Sequence, residues 1–462
     1  LSDSSRRLLR NGSVYTFASV ASTVTALLVT PLLTRTLGLA EYDKVAVAIV
    51  VLNATINLMS LGLPTAIIRA VHSDTDGRSV ARRIAVTGFV VVLATAVAAG
   101  VIAGLSGWGS EIAVALVAGG AGGAVAMVLA FQVATERPRG YVLISFGTSL
   151  GGPLVGLLSA LVLGSHAINY VGGLAATYVL VAVIGAVLLA LPGSMRFSRR
   201  EFTRALYIGL PMVPHQLAVG TAAGAAVLLA ALLLPEGSAA HVQLALLIGS
   251  APLAIVSALS SAWTPVVLSA APEERGAHLE ETSGVIAGLA ALGGGALSLL
   301  SPWFILILAP GEQFDTDSMI PVVAISTVAA TLAVAYTSHL QIVIASGKTM
   351  AMVILSPLAL VLGFAVGALT VPWVGLLGAS LGFVAVYVFF VVFTRALARS
   401  ASPIRWSERS LGAAVLLSAG IATLGAVLPW DSLPFAILRI GAAALLLVGA
   451  MVIFLRKIRS AR

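Results

Sequence analysis

The sequence predicts an all-α, polytopic membrane protein with 14 transmembrane helices, arranged as two six-helix lobes followed by a C-terminal helix pair. Three observations carry that expectation. Of the 462 residues, 59% are hydrophobic and 10% charged, and the mean hydropathy is +1.07, well outside the composition of soluble domains. The apolar residues come in runs of about 20, the length that crosses a hydrocarbon core. Basic residues collect in alternate gaps between the runs, as short cytoplasmic loops do.

The runs lie at roughly 12–34, 45–69, 84–106, 111–134, 142–163, 168–191, 205–234, 239–269, 283–309, 319–345, 350–371, 374–397, 410–428 and 433–455. The first carries Tyr15 in the Ser/Thr-rich stretch "YTFASVASTVTALLVT". It is too long for a signal-peptide core and lacks a small-residue cleavage site, so it reads as a retained helix. The second, "LNATINLMSLGLPTAIIRAV", carries Asn53 and Asn57 four residues apart and Arg69 at its end. That spacing places both amides on one helix face, either bonded to the first helix or turned toward water and a substrate. Arg69 reads as a snorkelling charge or a mouth residue. The "NAT" at Asn53 to Thr55 matches a glycosylation sequon but lies inside a span.

After the sixth run comes the most basic connection, "PGSMRFSRREFTR". It divides the chain into lobes 1–198 and 199–400 and a helix pair 401–462. Six spans per lobe give both lobes the same orientation, a parallel repeat of the kind found in secondary transporters. "LLVTPLLTR" in the first helix echoes "IGLPMVPHQ" in the seventh, and "GYVLISFGTSLGGPLVGLL" in the fifth echoes "MAMVILSPLALVLGFAVGAL" in the eleventh. In the seventh run His215 and Gln216 follow Pro211 and Pro214, about ten residues or ~15 Å into the span. In the tenth, Tyr336 and His339 share a face, with Gln341 nearby. Arg439 lies within the last span. Each of these polar groups reads either as an interhelical hydrogen bond or as part of a hydrated cavity, since an unpartnered polar group at depth is costly.

Charge fixes the orientation. With the N-terminus inside, all of the 26 basic residues except Arg35, Lys44 and Arg439 fall on the cytoplasmic side, so both termini are expected there. The net charge of +8 then reflects basic loops facing anionic lipid, not nucleic acid. All acidic residues are expected in loops. No cysteine is present, which removes disulfides, thiolate metal sites and thiol nucleophiles. "SGKT" at 346–349 ends like a phosphate-binding loop, but Ile342 occupies the earlier glycine position. Neither a catalytic triad nor a zinc motif is present, so no enzyme chemistry, cofactor or metal is expected.

The stretch "PLLTRTLGLAEYDKVAVAIVVLNATINLMSLGLPTAIIRAV" resembles the opening of bacterial polysaccharide transporters, the lipid-linked oligosaccharide (O-antigen type) flippases of the multidrug, oligosaccharidyl-lipid and polysaccharide exporter superfamily. Leu37, Gly38 and Tyr42 follow helix one, and Gly62, Thr65, Ala66 and Arg69 close helix two. "ASGKTMAMVILSPLALVLGFAVGALTVPWVGLLGASLGFVAVYVFF" is similar to the second half of that family. Two departures stand out. The seventh helix reads "GTAAGAAVLL" where many members carry an acid, and Asp43 replaces the usual Gly after Tyr42.

The resemblance implies a transporter that flips an undecaprenyl-diphosphate-linked saccharide to the outer leaflet of the bacterial cytoplasmic membrane by alternating access, around a partly cationic cavity. Arg10, Arg35 and Arg69 are then expected to guide the diphosphate, and Tyr15, Asn53, Asn57, His215, Gln216, Tyr336, His339 and Arg439 to line the cavity or a lipid-tail groove. Its partners would be the lipid-linked oligosaccharide, membrane lipids and a glycan polymerase or glycosyltransferases. A drug or small-molecule cation antiporter of the same superfamily is the alternative, and a membrane glycosyltransferase or polymerase a more distant one.

Overall fold

The computed structural model describes residues 3–73, 76–190, 198–311 and 313–460, with the side chains of the opening helix described from Ser22 onward. Every regular element among the described residues is helical, as expected. Lipid offers no partner to a backbone N–H or C=O, so an apolar run folds into the segment that bonds its own backbone groups. In chain order the helices are α1 (Asp3–Met59), α2 (Leu63–Ser73), α3 (Gly77–Leu105), α4 (Ser110–Ala134), α5 (Pro138–Phe146), α6 (Gly152–Leu163), α7 (Ala167–Ala190), α8 (Arg199–Gly209) and α9 (Val213–Leu233). They continue as α10 (Ser238–Gly249), α11 (Ala251–Ser269), α12 (Arg275–Leu308), α13 (Thr316–Ser326), α14 (Val328–Ala345), α15 (Met352–Val374), α16 (Leu376–Ala401), α17 (Arg409–Val427) and α18 (Leu433–Ser460).

Among the described residues 12 helices are long and apolar enough to cross a bilayer, and the bent pair Ser238–Gly249 and Ala251–Ser260 makes up to 13. That is one or two fewer than the expected 14. At 57 residues α1 would be about 85 Å long if straight, nearly three times the ~30 Å hydrocarbon core. Its backbone leaves helical geometry at Gly38, with φ 74 and ψ 177, so it is two helices joined across a kink.

The chain divides into two compact units, Leu1–Gly224 and Ala225–Arg462. In the first, α4 is the central post, touching α1, α3 and α7. Its run from Ala118 to Ala124 is buried throughout, because helices associate in lipid through small residues that let backbones approach. A larger core of Leu63, Ile67, Ile84, Met127, Phe131 and Ile144 fills the space beneath α2 and α3. The segment after 198 stays with this unit, since α8 packs on α2 and α3.

In the second unit α12 is the post, with α13, α14, α17 and α18 packed against it. The terminal pair α17 and α18 is thus part of this unit's packing. One expectation is corrected: the acidic residues are not confined to loops. Glu41, Glu111, Glu201, Glu280 and Glu281 sit within helices, because the helices run on past their apolar windows.

Candidate functional site

Two short amphipathic helices build a polar concavity in the N-terminal unit. On α2 the residues Leu63, Ala66, Ile67 and Ala70 are buried and Arg69 is exposed, the i, i+3, i+4, i+7 pattern of a helix with one apolar face. On α8 Ala205 and Gly209 are buried while Arg200 and Arg204, one turn apart, point outward. The start of α8 is set by "SRRE": the Ser198 hydroxyl accepts from the Glu201 N–H at 3.3 Å, half of a capping box. The Glu201 carboxylate does not complete the box. It takes both Nε and Nη2 of Arg83 on α3, each at 2.7 Å, a bidentate pair that fixes orientation. Arg83 also donates from Nη1 to the Ser79 hydroxyl at 2.5 Å.

Glycine brings the two helices together. Between α1 and α2 the chain turns through Leu61 and Gly62, both at positive φ. A Cβ on Gly62 would collide with the Gly209 carbonyl oxygen, and one on Gly209 would lie 2.6 Å from the Gly62 carbonyl carbon. Only a pair of glycines permits this backbone-to-backbone approach, and it sets Arg69 beside Arg200 and Arg204.

The result is a cavity of about 650 Å³ lined by Ala66, Ala70, Val80, Ile84, Ala205 and Ile208 below, and by Arg69, Arg200, Arg204, Asp76 and Glu201 at the rim. Glu201 is already neutralised by Arg83, so three guanidinium groups face the cavity against one carboxylate. Each presents a planar fork of donors matched to phosphate oxygens. An apolar floor beneath an arginine rim suits an anionic amphiphile of drug-like size or larger.

Of the expected residues whose side chains are described, Arg69 lines this pocket and the rest lie elsewhere. The side chains of Arg10 and Tyr15 lie outside the described residues. Arg35 is exposed on α1, donating to the Pro31 carbonyl at 2.7 Å. Asn53 is exposed. Asn57 donates to the Asn53 carbonyl at 2.8 Å, and its amide lies against Gly220 of α9, where a Cβ would come within 2.6 Å of Nδ2. Of the two roles expected for it, these contacts match packing, here between α1 and α9. His215 and Gln216 are half-buried at the start of α9. Tyr336 is buried with its ring 5.2 Å from Phe390, and Gln341 donates to the Thr264 hydroxyl at 2.9 Å. None of these lines the arginine pocket.

Arg439 lies apart from the arginine pocket as well. It is fully buried and donates to the carbonyls of Leu299, Gly425, Leu428 and Pro429. The last carbonyls of a helix have no partner within it, and a cation there also meets the favourable end of the dipole. Arg439 on α18 therefore ties off the end of α17. His339 faces a different concavity, in the C-terminal unit. Arg200 and Arg204 were legible only as loop charges; the signal that places them is their i, i+4 spacing behind the S-x-x-E cap.

The fold is that of an integral, multi-pass, all-helical membrane protein. The chain is similar to an inward-facing multidrug resistance MATE transporter of the MOP superfamily at 16% identity, covering 84% of this chain and 98% of that one with a TM-score of 0.66. A eukaryotic MATE transporter matches at 14% identity, with 90% and 99% covered and a TM-score of 0.62. A superfamily transporter from Pyrococcus furiosus, described as having a binding pocket of reverse polarity, matches at 14% identity, with 90% and 96% covered and a TM-score of 0.57. At these identities the likeness establishes the fold. No curated protein matches the chain. Residues 8–270 match the profile of the polysaccharide biosynthesis protein family, and the chain belongs to that family.

Proposed function

We propose that this transporter carries a lipid-linked saccharide bearing an undecaprenyl-diphosphate anchor from the cytoplasmic to the outer leaflet of a bacterial cytoplasmic membrane, by alternating access, during cell-surface polysaccharide assembly. The observation that carries the reading is the arginine-rimmed, apolar-floored pocket formed by α2, α3 and α8. With the N-terminus inside, as the distribution of basic residues argues, that pocket opens at the cytoplasmic face, where the substrate is loaded. The rim takes the diphosphate while the floor meets the first part of the lipid.

The physical task is to carry many hydroxyls and a diphosphate through oil. Each hydroxyl stripped of its hydrogen bonds costs a few kcal/mol, so unaided flipping is very slow. The driving force needs no buried carboxylate. A doubly anionic group leaving a negative interior gains roughly 4–5 kcal/mol per 100 mV, at about 2.3 kcal/mol per charge.

Likeness to MATE transporters supports a second reading, a drug or small-molecule cation antiporter. Three guanidinium groups against the Asp76 carboxylate give the rim a cationic balance, which disfavours a cation there. Purified protein in liposomes, offered either a fluorescent lipid-linked sugar or a cationic dye, separates the two. We expect movement of the lipid-linked sugar, reduced at least tenfold in an Arg69→Ala/Arg200→Ala/Arg204→Ala variant, since each lost charge-assisted bond is worth about 1.5–3 kcal/mol. Dye transport without sugar-lipid transport, or a fully active triple variant, removes the proposal.

A further inference from the structure

The C-terminal unit holds a second concavity, larger than the arginine pocket and sharing none of its residues. It is a groove of about 950 Å³ between α14, α16 and α17. Its polar mouth is made by Arg395 and Arg399 at the end of α16, by Trp406 and Glu408 in the connection, and by Arg409 at the start of α17. From that mouth an apolar wall descends: Leu411, Val415 and Leu416 on α17 face Leu332 and Ala335 on α14 and Val391 on α16. From Arg409 to Leu416, and likewise from His339 back to Leu332, the wall is seven residues deep, or about 10 Å. That fits within one leaflet, whose share of the ~30 Å core is about 15 Å.

The mouth has both spare donors and a spare acceptor. Glu408 is committed: Oε2 accepts from Arg395 Nε at 2.6 Å and Oε1 from Arg399 Nη2 at 3.3 Å. Arg405 is spent on the carbonyls of Arg399, Ser402 and Ile404. Arg409 makes no hydrogen bond or ion pair among the described residues, and the buried Trp406 Nε1 has no acceptor. His339 is 2% exposed. Its Nδ1 donates to the Ala335 carbonyl at 2.7 Å, so in the neutral ring Nε2 is the acceptor; that atom has no hydrogen bond and lies 3.5 Å from Glu408 Oε1. A buried donor and a buried acceptor left unmade at one mouth each cost free energy until something supplies their partners.

We propose that this groove binds an anionic glycerophospholipid whose headgroup carries a phosphate and a hydroxyl, as phosphatidylglycerol does. The phosphate meets Arg399, Arg409 and the Trp406 indole; the headgroup hydroxyl donates to His339 Nε2; one acyl chain lies along the apolar wall. Three arginines against one carboxylate leave the mouth cationic, which selects an anionic lipid. The one-leaflet depth matches an acyl chain better than a long polyprenyl tail. Gly412 keeps the wall open: it lines the groove, and a Cβ there would meet nothing within 4 Å.

Native mass spectrometry of the full chain in mild detergent tests this, with phosphatidylglycerol, phosphatidylcholine of the same chains and undecaprenyl phosphate each added at equal concentration. Wild type should retain phosphatidylglycerol over phosphatidylcholine by about tenfold or more, at ~1 kcal/mol for each arginine near the headgroup. Arg399→Ala/Arg409→Ala should bring the two lipids near parity. Gly412→Phe should lose phosphatidylglycerol while keeping its thermal unfolding midpoint, because the ring enters open groove on a helix that gains from losing a glycine. Equal retention of both glycerophospholipids by wild type, an undiminished preference in the arginine variant, or unaltered binding in Gly412→Phe would overturn the proposal. Preference for undecaprenyl phosphate over phosphatidylglycerol would overturn it too, and would assign the groove to the transported lipid. Transport measured in parallel reports separately on the arginine pocket of α2 and α8.

Discussion

Replacing Gly209 by alanine tests the contact that assembles the arginine pocket. The new Cβ would lie 2.6 Å from the Gly62 carbonyl carbon and 2.7 Å from the carbonyl oxygens of Gly62 and Leu61. Carbon atoms rest at about 3.5–4.0 Å, so α8 and the turn before α2 must part by roughly 1 Å. Every obstructing atom is backbone, so no rotamer change relieves it. Overpacking of this kind costs about 1–3 kcal/mol, read as a fall of roughly 2–6 °C in the unfolding midpoint. Gly62→Ala meets the Gly209 oxygen closer still and also holds φ +63, which adds about 1–2 kcal/mol for a left-handed residue. The expected order of midpoints is wild type, then Gly209→Ala, then Gly62→Ala, tracked through the fluorescence of the six tryptophans. Transport should fall with them, because Arg200 and Arg204 ride on α8 and Arg69 on α2. Gly288→Ala on α12 is the control: a Cβ there meets nothing within 4 Å, and the helix gains up to ~1 kcal/mol. A Gly209→Ala protein as stable and active as Gly288→Ala would refute the close approach and the pocket built on it.

Three further outcomes are expected. Arg439→Met removes the donor of four carbonyls, at about 1–3 kcal/mol for each buried group left unmade, so size-exclusion profiles should show little folded protein, and Arg439→Lys should not rescue it, since an ammonium lacks the planar fork; a well-folded but inactive Arg439→Met would restore a substrate role. Gly220→Ala drives a Cβ into the Asn57 amide and should destabilise by about 1–3 kcal/mol, while adding Asn57→Ala should recover most of that loss in a double-mutant cycle; additive effects would show that the two do not touch. Burial alone would raise the Glu408 carboxyl, but its ionised neighbours, with Arg395 Nε at 2.6 Å, outweigh it and hold the group below the usual carboxylate range. A depressed folded value means that its stabilisation is complete above the unfolded value near ~4.3 and is lost as pH falls through the folded one. The unfolding midpoint of wild type should therefore exceed that of Glu408→Gln at pH 7 and converge with it in acid, and a gap independent of pH would contradict the pairing.

The helices were legible in the sequence because the signal for a span is long and redundant: a run of about 20 apolar residues survives several exceptions. Where α1 turns was less legible, since Gly38 is one glycine among 46 and a glycine at a kink looks the same in sequence as a glycine at a close helix contact. Site residues were harder for a definite reason. Asn53, Asn57 and Arg439 stood out because they are polar within apolar runs, but a helix can satisfy such groups locally. Asn57 bonds the carbonyl one turn earlier, and Arg439 bonds the end of the preceding helix. Polarity at depth marks a group that has to be satisfied, and it does not say by what. Arg200 and Arg204 failed to stand out for the opposite reason: they sit in the most basic connection, where charge is expected anyway. Their i, i+4 spacing behind the S-x-x-E cap puts them on one helix face, but what brings that face to the pocket is pairing across sequence, with Glu201 drawn to Arg83 and Gly209 pressed on Gly62, and no local pattern records that.

These placements share one physical cause. A span whose backbone is internally bonded is indifferent to which apolar residues it carries, whereas a charge along it must be matched on the spot or removed from oil. The chain meets that constraint by carrying the arginines of the pocket on short amphipathic segments set off by breaks. α2 comes after the Leu61–Gly62 turn, and α8 precedes the Leu210–Met212 turn that leads into α9. Such a segment keeps one apolar face against the core, as Ala66 and Ala70 do on α2, and so leaves its other face free to hold arginine. A break beside a half-helix with arginines on one side is thus the arrangement by which an otherwise lipid-like chain can present charge to a headgroup, and glycine at the break lets two such segments meet closely enough to share one.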